Sequence, residues 1–232
     1  MMKNFLYLVL CVSMFSCKNS SNFDLSALQL PMADTSFISK HQLEKDMEIG
    51  ECIQYSSEQP DLLHLYGQSF TGSMGPGGEG DNGFANKVDF FLTKENNKIS
   101  GYALRTETKK TTEALDKLLN EKLGKTDFHY RNKDFTNQVW YKDGLYYLWN
   151  TNSTVAYYSN KTVTGNLTVI SEQSPVFLEW STTGGGFSYY GNYLNEKKKP
   201  EHQGKPYSYR NFIDSQKDDA FMGPSYFADY VQ

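Results

Sequence analysis

The sequence predicts an α+β domain, an antiparallel β-meander sheet with one main amphipathic helix on one face. Three observations carry this. Asp143-Gly144 separates two alternating aromatic-rich runs, the strongest short-range hairpin signal a sequence offers. Leu115, Leu118, Leu119 and Leu123 recur at helical spacing between Thr111-Thr112 and Gly124. Five or more neighbouring strand-like runs with polar turns surround that helix, which gives a sheet covered on one face.

The elements follow in order. Residues 23–46 leave two readings open: Leu25, Leu28 and Leu30 suggest an early strand or a turn that Pro31 interrupts, and Phe37 to Met47 reads as a short helix. Met47 to Tyr55 reads as a strand, and so does Leu62 to Phe70 behind Pro60-Asp61. Gly72 to Gly83 holds six glycines in twelve residues, and so much glycine makes ordering entropically costly, which predicts a mobile loop. Val88 to Thr93 and Ile99 to Arg105 form a hairpin around a polar loop.

The helix spans Thr111 to Leu123, capped by Thr111 or Thr112, with Glu113 and Lys117 one turn apart. Asn137 to Lys142 and Leu145 to Thr151 form the Asp143-Gly144 hairpin, in which Trp140 faces Tyr147 and Tyr141 faces Tyr146. Ser153 to Ser159 and Thr162 to Ser171 extend the sheet, with Gly165-Asn166 as a bulge or tight turn. The expected organisation is a leader over residues 1–16, a tether over 17–22, the α+β domain over 23–172, and an aromatic-rich C-terminal extension over 173–232 packed on it.

Composition narrows the function classes. At 38% hydrophobic and 22% charged residues, the 232-residue chain can build a core. A formal net charge of −4 lacks the basic footprint that phosphate backbones require, so nucleic acid is not expected as a partner. Lys197-Lys198-Lys199 before Pro200 reads as a solvated loop.

The N-terminus carries the most specific motif. Met1-Met2-Lys3-Asn4 is short and basic, and the apolar run from Phe5 to Phe15 is too short to span a bilayer as a helix. It ends at Met14-Phe15-Ser16-Cys17. This resembles the lipobox of bacterial lipoproteins, in the looser form familiar from Bacteroidota-type bacteria, because Met14 and Phe15 depart from the stricter Leu-Ala/Ser pattern. The resemblance covers residues 1–22 and implies lipid acylation of Cys17, cleavage before it, and a flexible tether through Lys18 to Asn22. Lys18 lacks the acidic residue that marks inner-membrane retention in that family, and no acidic surface-export run follows. The resemblance therefore implies the outer membrane, at its periplasmic face rather than the cell surface. Cys11 lies in the leader, leaving Cys52 without a partner for a disulfide; its setting in an apparent strand predicts a buried inert thiol.

No catalytic set emerges. Gly75, Gly77 and Gly80 spell G-x-G-x-x-G, but a strand rather than a helix is expected to follow, so no dinucleotide site is expected. Gly67-Gln68-Ser69-Phe70-Thr71 lacks the closing glycine of a hydrolase elbow. His41, His64, His129 and His202 are isolated, and Glu79, Asp81 and Asn82 miss calcium-loop spacing, so neither metal nor cofactor is expected. The remaining signal is aromatic. Trp140, Tyr147 and Trp149 share one hairpin face and are the candidate binding residues for a protein or carbohydrate ligand, while Val139, Tyr141, Tyr146 and Leu148 share the other. The leading expectation is a non-enzymatic binding or accessory lipoprotein of the cell envelope. An envelope enzyme acting on polysaccharide or cell wall through carboxylates the sequence does not pair, and a structural envelope protein, are the alternatives.

Overall fold

A computed structural model describes residues 23–216. The expected leader, the acylated Cys17 and its tether, and residues 217–232 of the extension lie outside the described residues. Eight strands build the main sheet. In chain order they are β1 (Glu44–Ile49), β2 (Cys52–Ser57), β3 (Lys87–Thr93), β4 (Lys98–Thr106), β5 (Phe128–Arg131), β6 (Phe135–Lys142), β7 (Leu145–Asn152) and β8 (Thr164–Ser171). In space they run β1-β2-β3-β4-β8-β7-β6-β5, every pair antiparallel. Two four-stranded meanders thus meet at the β4–β8 seam. The α+β, antiparallel class read from the sequence is what the chain adopts.

The hairpins form where turn chemistry demands them. Asp143 and Gly144 take φ of 53° and 77°, the left-handed pair a tight two-residue turn needs, and they set Trp140 opposite Tyr147. A short helix α1 (Ser36–Lys40) and the long helix α2 (Lys109–Leu123) occupy one face. The cap of α2 is Thr108, whose hydroxyl accepts from the Thr111 amide at 3.2 Å, several residues ahead of the expected start. Gly124, at φ 78°, ends the helix. Leu115, Leu118 and Leu119 are buried against Phe90, Tyr102, Trp140, Trp149, Leu167 and Val169. Gly165 is an in-register strand residue rather than a bulge, and a Cβ there would sit 2.2 Å from the Trp149 ring, so glycine lets the indole lie flat on β8.

The opposite face is covered over part of its length by α3 (Pro175–Thr182), α4 (Ser188–Lys197) and α5 (Tyr209–Ser215). Phe177, Tyr190, Tyr193, Tyr209, Phe212 and Ile213 bury Phe91, Ala103, Phe128, Val139, Leu148 and Ile170. Cys52 lies in this layer, and burial pushes its thiol pKa up, as suits an inert side chain.

Several segments differ from expectation. Met47 to Tyr55 divides into β1 and β2 at Gly50, whose φ of 54° turns the chain, and the helix expected to reach Met47 stops at Lys40. Leu62 to Phe70 is a 3-10 turn and a small hairpin that reverses at Tyr66 and Gly67, whose amides both donate to the Asp24 carboxylate. The glycine-rich segment is an ordered three-stranded ribbon, Ser73–Gly75, Gly78–Glu79 and Phe84–Ala85, with Met74 buried beneath it. Ser153 to Ser159 leaves the sheet as a small hairpin, Ala156–Tyr157 with Asn160–Lys161, and the edge strand β5 had no clear periodic signal.

Candidate functional site

The register of the sheet assembles a polar row. Lys87 lies opposite Arg105, Arg105 opposite Asn166, Asn166 opposite Asn150, Asn150 opposite Asn137, and Asn137 opposite Tyr130. Directly paired residues project to the same side, so these six line one face across β3, β4, β8, β7, β6 and β5. Two residues further along each strand, roughly 7 Å away, the next row reads Asp89, Ala103, Thr168, Leu148, Val139 and Phe128. The apolar floor under α3–α5 begins there.

The covering layer ends where the floor turns polar. Gly184, Gly185 and Gly186 run beside the asparagines, and a Cβ on Gly186 would lie 2.1 Å from the Asn137 amide nitrogen. Beyond this edge opens a cleft of about 570 Å³, floored by Asn137, Asn150 and Asn166 and rimmed by Tyr130, Phe135 and Phe187. Asn150 donates to the Asn137 carbonyl oxygen at 2.6 Å, and the Asn166 amide nitrogen donates to Thr168 at 3.2 Å. The Asn166 side-chain oxygen is buried with no hydrogen-bond partner among the described residues. Asparagine is depleted in strands, and an unmet buried carbonyl costs about 1–3 kcal/mol. Folding alone gives no reason for three such side chains in one row, and departures of this kind concentrate at functional sites.

The charged end of the row is internally neutral. Arg105 Nε lies 2.7 Å from Asp89 Oδ2, an ion pair without hydrogen-bond alignment, since neither atom has a hydrogen-bonding partner. Lys87 Nζ stands 3.7 Å from Asp89 and 3.5 Å from Asp46. Ser56 Oγ sits between the two carboxylates, 3.1 Å from Asp46 and 2.5 Å from Asp89. One hydroxyl proton serves one carboxylate only, so Lys87 is what holds the two like charges together. Asp89 has no exposed surface, so it holds its neighbours in place rather than touching a ligand.

The candidate residues read from the sequence lie elsewhere. Trp140, Tyr147 and Trp149 share a face as expected, but at 1%, 8% and 0% exposure they are core residues beneath α2, and the aromatic platform is inside the protein. Their polar atoms are satisfied there: the Trp140 indole donates to the Gly124 carbonyl at 2.9 Å and Trp149 to Asp116 at 2.8 Å. Gly75, Gly77 and Gly80 sit in and beside the ribbon, and Asp81 accepts the Gly77 and Asn82 amides, closing a turn. Ser69 lies in the small hairpin, and His41 packs on Phe37 with ring centres 4.4 Å apart. Glu196, Glu201 and His202 converge within 4.8 Å of one another, but Lys199 already pairs with Glu196 at 2.7 Å. The asparagine row is not legible in local sequence, because only its Asn137–Asn150 step follows from the Asp143-Gly144 turn; the rest depends on the pairing of β8 with β7 and, across the seam, with β4.

The fold and site together define an antiparallel sheet with helices on both sides and a polar cleft where one helical layer stops. Comparison with protein-family models, curated proteins and solved structures finds no match. Among the described residues no helix is long and apolar enough to cross a membrane.

Proposed function

We propose that this chain is a lipid-tethered, non-catalytic binding protein of the cell envelope that takes its partner in the polar cleft. The observation that supports this is the asparagine row at the floor of an open cleft, with a buried Asn166 side-chain oxygen left unmet. Acylation of Cys17 leaves residues 17–22 before the described domain begins, a reach of about 20 Å at full extension, so the start of the domain at Phe23 stays close to the lipid surface. Palmitate labelling that disappears in Cys17→Ala is the expected result for the tether, with the protein shielded from external protease in intact cells. A photo-cross-linking residue in place of Phe135 is expected to capture a partner in living cells, and one in place of Val176, exposed on α3, is not. Equal capture from both positions, or none from Phe135, counts against the cleft.

A further inference from the structure

Resting on that reading, we propose that the ligand is a neutral, hydroxyl-rich chain, an oligo- or polysaccharide, which runs from the asparagine row off the end of the sheet onto an aromatic ledge formed by Phe84, Tyr157 and Tyr158. Charge excludes the strongly ionic alternatives. The two cations of the row, Lys87 and Arg105, are matched by Asp46 and Asp89, so the floor offers no surplus charge to an anionic or cationic chain. What it does offer is the amides of Asn150 and Asn166, groups that carry both donor and acceptor atoms, set over a buried Asn137 whose oxygen already accepts from Asn150. A sugar hydroxyl is likewise both donor and acceptor. Amides repeated on neighbouring strands about 4.8 Å apart meet a ligand whose polar groups also repeat. Phe135, 36% exposed, and Phe187 at the rim supply the flat apolar surfaces that the C–H faces of sugar rings cover.

The ledge extends this surface. β4 ends and β8 begins at the end of the sheet near which the polar row lies, and the Ala156–Lys161 hairpin joins β7 to β8 at that end. The Tyr157 hydroxyl donates to Glu107, two residues beyond Arg105, at 2.7 Å. Phe84 stacks on Tyr157 at 4.1 Å, and Phe84 and Tyr158 are 47% and 55% exposed. Tyr158 and Ser159 take φ of 49° and 74°, the left-handed pair of a two-residue hairpin turn, a strained conformation for residues other than glycine. Asn160 pins the hairpin by donating to the Gly75 and Pro76 carbonyls. A strained turn fixed in place to present bare rings fits a stacking subsite. Buried aromatics would serve folding instead.

The test uses the full chain in a detergent without a sugar headgroup, titrated with neutral gluco-, xylo- and manno-oligosaccharides of increasing length and with a polyuronate. At least one neutral series is expected to bind, gaining about tenfold in affinity from dimer to hexamer, with the polyuronate no tighter. Asn150→Ala, or Asn150→Asp should the alanine variant fail to fold, is expected to abolish binding at every length. Phe84→Ala with Tyr158→Ala is expected to remove only the gain with length. Retention of that gain in the double variant overturns the ledge. No neutral series bound while Phe135 still cross-links a protein overturns the glycan and leaves the binding reading standing. Neither binding nor cross-linking overturns both.

Discussion

The two faces of the sheet share strands and differ in what they carry. On the α2 side, the row Phe90, Tyr102, Val169, Tyr147 and Trp140 is buried from end to end, and Val88, Leu104, Leu167 and Trp149 repeat the pattern one row along. On the other side an apolar row lies next to a polar one, and the covering helices stop at the boundary. A face covered throughout its length leaves no room for function. A partly covered face creates an edge, and the edge is where the cleft lies.

The largest effect expected from this contrast is on the fully covered face. Trp149→Ala removes a side chain with no exposed surface and strands the Asp116 carboxylate it serves, a loss of about 3–5 kcal/mol by urea denaturation. That is a large share of a typical domain's stability. A loss under about 1 kcal/mol would mean that α2 and the sheet do not form the principal core.

Alkaline titration compares the faces directly. Burial raises Tyr102 and Tyr147 on one side and Tyr190, Tyr193 and Tyr209 on the other, Tyr193 to about 12. Above pH 10 the unfolded chain surrenders protons that the folded chain keeps. Stability is therefore complete below pH 10 and falls as pH rises, by up to about 1.4 kcal/mol per pH unit for each such tyrosine. The helices α3–α5 are too short to persist alone. Their three tyrosines are expected to ionise in an earlier step than Tyr102 and Tyr147, followed by tyrosinate absorbance. A single step would show that the two faces unfold as one cooperative unit.

Gly186→Ala probes the boundary. Its Cβ would overlap the Asn137 side chain, so the chain at 184–186 or the amide must shift, at about 1–3 kcal/mol. Cross-linking from Phe135 is expected to fall with it. Unchanged capture would show that the glycine edge does not shape the cleft.

The parts legible in the sequence are those with local causes. Asp143-Gly144 dictated its hairpin, and the leucine stripe with Gly124 dictated α2. The same local logic placed Trp140, Tyr147 and Trp149 together correctly, yet which face a helix covers is decided by the crossing of the chain from β4 to the far edge strand β5, a long-range event. The glycine segment misled for a related reason. Its composition speaks of entropy, while its order comes from backbone pairing and from Asn160, far along the chain, donating to Gly75 and Pro76. Asn137, Asn150 and Asn166 look like three unremarkable polar residues until three strands bring them into line.

The smallest expected effect on stability is the most informative about the cleft. Asn166 and Leu167 are neighbours in the chain on opposite faces of β8, one in the polar row and one with no exposed surface. Asn166→Val replaces an amide with an unmet oxygen by a strand-favouring side chain, so stability is expected to stay within about 0.5 kcal/mol or to rise by up to about 1 kcal/mol. Leu167→Asn buries a polar group among Trp149, Leu104 and α2, at several kcal/mol. Asn166→Val is expected to lose the ligand while keeping the fold, the pattern of a residue retained for function at the expense of stability. Should it instead cost more than about 2 kcal/mol in urea, the asparagine row is structural, and the contrast between the two faces is one of packing chemistry alone.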